Sequence, residues 1–140
     1  MTTTAARPTT TGDPGYSETM PCEPESARRA RLLVSAALDA WGIGELADAA
    51  TLVVSELITN AINHTRCRVV CVRVQQKPDG VIRIGVADTS RDTPEMNRSG
   101  DDSEDGRGLA LVAAASQRWG YDLHPWGKLV WAELRMPLTC

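Results

Sequence analysis

Two hydrophobic periods alternate along the chain. Ala30, Leu33, Val34, Ala37, Leu38 and Trp41 recur at i, i+3, i+4, i+7, i+8 and i+11, which is one face of an α-helix. Pro24 suits its first turn and Glu25 its positive end, while Gly42 and Gly44 close it. A second helical arc of Leu46, Ala50, Val53, Val54, Leu57, Ala61 and Ile62 predicts a helix from about Glu45 to His64. The period then falls to two in "CRVVCVRVQ" and "VIRIGVAD", and the intervening "KPDG" has hairpin chemistry. "GRGLALVAAASQRW" reads as a third helix, and "YDLHP" with "KLVWAELRM" as a second hairpin around Trp126 and Gly127. "YSETM", before Pro21, fits an edge strand. The order predicts an α+β two-layer sandwich: a mixed, mainly antiparallel sheet with three helices on one face.

At 140 residues, 42% hydrophobic and 24% charged, the chain fits one globular domain with a genuine core. Four of the eight prolines fall in the first 24 residues, so residues 1–15 are expected to form a disordered tail and 16–140 the domain. A net charge of −3 offers no basic face for duplex nucleic acid. The first ten residues lack an apolar signal segment, and no run approaches the roughly 18 apolar residues of a membrane span. The expectation is a cytoplasmic protein without membrane contact.

Cys22, Cys67, Cys71 and Cys140 form no C-x-x-C pair and His64 and His124 are the only histidines, so a zinc site is not expected. Cys67 and Cys71 share a strand parity and read as small apolar filler. With no Phe in the chain, Trp41, Trp119, Trp126 and Trp131 are expected to give the core its aromatic bulk. Residues 89–106 are a polar stretch with six acids, Asp92, Glu95, Asp101, Asp102, Glu104 and Asp105. Loops of this length are lids, binding loops or disordered segments.

The chemistry concentrates in "SELITNAINHT". On a helix Glu56, Asn60 and Asn63 fall at i, i+4 and i+7 with Thr59 beside them, and no Lys or Arg occurs from Leu32 to Thr65. Oxygen-rich side chains without an organic cation suit a hard metal ion, a water, or both. A carboxylate one turn from an amide could polarise a nucleophile while the amide steadies the metal. The wet side of an ordinary amphipathic helix is the alternative, although Asn and Thr are mediocre helix formers there. His64 reads as a helix-end cap or a packed residue.

Two further segments add to this. In "VIRIGVADTS", Asp88 continues the parity of Ile82, Ile84 and Val86, so its carboxylate faces the helix layer and must find donors. The amino group of a purine would serve, and so would a turn-capping role. "DGRGLALV" places Gly106, Arg107 and Gly108 where loop becomes helix. Free backbone N–H groups there suit an anion, and a tight turn is the other reading. Neither a P-loop nor a dinucleotide fingerprint is present.

Together these segments resemble a known set. "ELITNAINH" is similar to the N-box, "VADTS" to the G1 box and "GRGLALV" to the G2 box of the gyrase, chaperone, histidine-kinase and mismatch-repair (Bergerat-fold) ATPases. The branch most resembled is the anti-sigma-factor serine/threonine kinases of actinobacterial type, over roughly residues 20 to 137. The resemblance implies ATP and magnesium as cofactors and Glu56 as general base. It implies Asn60 as magnesium ligand, Asn63 near the phosphates, and Asp88 as acceptor for the adenine amino group. Gly106, Arg107 and Gly108 match the turn that closes on the phosphates, and residues 89–106 the ATP lid. Ser90 and Asp92 stand where the G1 box usually has glycines. The implied partners are a sigma factor and an antagonist phosphorylated on serine, with a homodimer among the implied assemblies. A non-catalytic, ATP-gated module that sequesters its partner is the alternative.

Overall fold

The computed structural model describes residues 7–8, 14–64, 68–90 and 104–135. Its strands are β1 (Arg7–Pro8), β2 (Gly15–Pro21), β3 (Val69–Lys77), β4 (Val81–Asp88), β5 (Arg118–His124) and β6 (Gly127–Arg135). Its α-helices are α1 (Ser26–Ala40), α2 (Ala47–His64) and α3 (Glu104–Ala115), with short 3-10 turns at Gly44–Leu46 and Pro78–Gly80. The sheet order is β1-β2-β3-β4-β6-β5, and every ladder described is antiparallel. The parallel pairing that a mixed sheet would contain is therefore not used among the described residues.

Parity explains which face the helices cover. Val70, Val72 and Val74 of β3, Ile82, Ile84 and Val86 of β4, and Val130, Ala132 and Leu134 of β6 are all buried in one core with the helix arcs. That core takes Ala30, Leu33, Val34, Ala37 and Leu38 from α1 and Ala50, Val53, Val54, Leu57, Ile58 and Ala61 from α2. Ile58, fully buried, widens the α2 arc by a residue that the stripe read from sequence leaves out.

Local chemistry sets the boundaries. Gly42 has φ +72; Gly42 N–H donates to Asp39 O at 3.0 Å and Ile43 N–H to Leu38 O at 2.9 Å. This is a Schellman stop, and Leu38 and Ile43 supply its hydrophobic contact inside the core. The "KPDG" hairpin works through Asp79 at φ 66 and Gly80 at φ 73, conformations that Asp and Gly tolerate best. The second hairpin turns on Pro125 and Trp126, with His124 paired to Gly127. β2 pairs with β3 along its whole length, and α1 is tied to it by an Arg29–Glu18 ion pair. In the expected tail, Arg7–Pro8 pairs with Ser17 and Tyr16; residues 1–6 and 9–13 lie outside the described residues.

Two expectations need correction. No tryptophan sits among the buried core residues, which are aliphatic apart from Met20. Trp41 and Trp119 pack half-buried against the core, with Trp41 stacked on Tyr16 at 5.9 Å, and Trp126 is exposed. Trp131 has the outward parity: the guanidinium of Arg83 lies 4.3 Å and that of Arg118 5.5 Å from its ring. There cation–π contact replaces core packing. Cys71 likewise points away from the helices, half-buried at a cavity on the outer face of the sheet; Cys67 lies outside the described residues.

Candidate functional site

α2 packs against β4 and beside α3, and Asp88 is the last residue of β4. Within the strip burial is graded. Asn60 is buried, and its Nδ2 has no hydrogen-bond partner among the described residues. Glu56, one turn earlier, is half-buried, and desolvation raises its carboxyl above the ordinary value. Asn63 is exposed. Thr59 is exposed too, its hydroxyl donating back to Ser55 O at 2.9 Å, which commits its one hydrogen to the helix backbone. The side chain of His64 lies outside the described residues.

Asp88 is 3% exposed, as its parity requires. The donors it needs come in part from the protein. Ser90 N–H donates to Oδ1 at 2.8 Å, a turn-capping bond, and Lys128 Nζ reaches the same oxygen at 3.2 Å. Oδ2 is buried and has no partner among the described residues. One oxygen of Asp88 thus caps the strand end, and the other accepts no hydrogen bond among the described residues.

Lys128 is a buried partner of Asp88 that sequence reasoning missed, taking it only as part of a strand. It lies across the ladder from Asp88 and is 2% exposed. The available signal was parity: Lys128 alternates with Val130, Ala132 and Leu134 on the core-facing side of β6. Gly127 brings the two strands together; a Cβ there would lie 2.0 Å from Asp88 O. A cavity of about 220 Å³ also touches Asp88, but Thr19, Cys71, Arg73, Ala87 and Thr89 line it from the outer face of the sheet. It is therefore behind Asp88, not among the α2 side chains.

The glycine segment differs from expectation in position. α3 begins at Glu104, so Gly106 lies in the first turn, among amides without an intrahelical acceptor, while Gly108 is already one turn in. Arg107 sits between them. The lid expected over 89–106 is thereby shortened at its end, and residues 91–103 lie outside the described residues.

The α2 polar strip, the buried carboxylate at the end of β4 and the first turn of α3 lie on α2 and on two elements that pack against it. The chain matches the sequence profile of the histidine kinase-like ATPase domain over residues 20–134. It belongs to that family. The match begins at the end of β2 and closes one residue before the end of β6, so all three segments fall inside it. As an ATPase-type domain it is a binder of ATP. The chain is also 35% identical over 71 residues to an uncharacterised protein of Streptomyces coelicolor, covering 49% of this chain and 68% of that one. No helix among the described residues is long and apolar enough to cross a membrane.

Proposed function

We propose that the protein is a magnesium-dependent regulator of the anti-sigma type that transfers the γ-phosphoryl group of ATP to a serine or threonine of an antagonist protein. The observation carrying this reading is the half-buried Glu56, whose carboxyl is raised by desolvation one turn before the buried Asn60. A base works best when its proton affinity approaches the working pH, and a solvated surface glutamate would show no such shift.

The residues fit the ligands. Asp88 Oδ2 is a buried acceptor with no donor among the described residues, as a purine amino group requires. Among the described residues no three His, Cys, Asp or Glu side chains converge as a metal set; magnesium at Asn60 would take one or two protein oxygens besides waters and phosphates. When bound, it would offset the phosphate charge. Glu56 would accept the proton of the attacking hydroxyl as the serine oxygen bonds to the γ-phosphorus and ADP leaves. Asn63 and the N-terminal part of α3, with Gly106, Arg107 and Gly108, would border the phosphates. Most of the catalysis would come from positioning and charge neutralisation. A sigma factor and its serine-bearing antagonist are the proposed partners.

Incubation with γ-labelled ATP and an extract of the encoding organism tests this reading. The expected result is a labelled serine or threonine that depends on Glu56, with Glu56→Gln still retaining ATP. ATP retention without transfer to any protein would instead favour stoichiometric, nucleotide-gated sequestration.

A further inference from the structure

An ammonium on the core-facing parity of a central strand calls for a reason. A buried ion pair contributes little net stability compared with apolar side chains of similar size, so the fold alone does not account for Lys128. The asymmetry of its contact is informative. Ser90 N–H and Lys128 Nζ both fall on Asp88 Oδ1, and among the described residues Oδ2 is left buried without a donor. A carboxylate gripped by one oxygen is fixed in rotation, and its second oxygen is presented in a single direction.

We propose that Lys128 is a positioning residue for base recognition: by anchoring Asp88 Oδ1 it leaves Oδ2 as a fixed acceptor that selects purines bearing an exocyclic amino group over those bearing a carbonyl. The inference rests on the reading of this site as an ATP site and adds a specificity device to it. Adenine offers a donor to Oδ2. Hypoxanthine offers a carbonyl oxygen at the same place, setting acceptor against acceptor. Without Lys128 the Ser90 amide is the one hydrogen bond left to the carboxylate among the described residues, and the group can then turn about its Cβ–Cγ bond.

Calorimetric titration of ATP and of inosine triphosphate, in one magnesium buffer, into wild type, Lys128→Met and Lys128→Arg tests this. Wild type is expected to prefer ATP. In Lys128→Met the ATP affinity should fall about tenfold, the size of a charge-assisted hydrogen bond. Inosine triphosphate affinity should change far less, so the preference collapses, and Lys128→Arg should restore most of it. A purely structural role would weaken both nucleotides together and leave their ratio unchanged, and that result overturns the inference. If circular dichroism shows that the methionine variant does not fold, Lys128→Gln carries the same comparison. Wild type that binds ATP but does not prefer it overturns this inference alone. Wild type that binds neither nucleotide overturns the ATP reading as well.

Discussion

Substituting Gly127 by alanine probes the junction on which the site is built. Gly127 opens β6 at φ +152, a conformation that L side chains rarely adopt. Its added Cβ would lie 2.0 Å from Asp88 O, 2.7 Å from Thr89 Cα and 2.9 Å from Asp88 C. The nearest of these is about 1 Å inside the closest approach that real Cβ atoms make, and all three are backbone, so no side chain can swing aside. Relief requires β6 to part from β4 at the rung beside Lys128 and Asp88. Overpacking of this kind costs roughly 1–3 kcal/mol, and a non-glycine residue in that region of φ roughly 1–3 more. The sum is about 2–6 kcal/mol, or a Tm lower by roughly 8–24 °C for a domain of this size. Gly44→Ala is the control, because a Cβ there meets nothing within 4 Å. Thermal melts of both variants, followed by circular dichroism, give the answer. A Gly127→Ala protein melting within about 2 °C of wild type would refute the close-approach argument.

Other outcomes follow from the same contacts. Glu56→Gln should be more stable than wild type at pH 7: a carboxyl raised in the folded state lowers stability as pH climbs through that raised value. The gap should close below about pH 4 in a urea-denaturation series across pH. Glu133 behaves oppositely. Burial pushes its carboxyl up, but hydrogen bonds from Arg118 and Arg83, and their charges, outweigh this and hold it below the ordinary value. Its contribution is present above the ordinary glutamate range and disappears as pH falls through the lowered value. Glu133→Gln should therefore cost about 1–3 kcal/mol at neutral pH and flatten the acid limb of the stability profile. Ile58→Ala, at a fully buried position, should cost about 2–5 kcal/mol in the same assay.

Local physics made much of this fold readable. The α1 and α2 stripes, the Gly42 stop and the β3–β4 hairpin each depend on residues within a few positions of one another, where period and turn chemistry speak directly. The Glu56–Asn60 strip was legible for the same reason. The sequence could not reveal that β4 neighbours β6 rather than β5, because that ladder joins segments far apart in the chain, with α3 and β5 between them. Lys128 escaped notice with it, since its partner Asp88 is 40 positions away and the contact exists only once the register is known. The tryptophans were misplaced because bulk alone suggested a core role. On β6, parity and the two flanking arginines place Trp131 outside.

Equilibrium dialysis of ATP, with and without magnesium, against wild type and Asp88→Ala tests the central claim most directly. The account predicts that wild type retains ATP, more tightly with magnesium, and that Asp88→Ala stays folded but loses at least about tenfold in affinity. Wild type that retains no ATP, or an Asp88→Ala protein that binds it unchanged, would contradict the account.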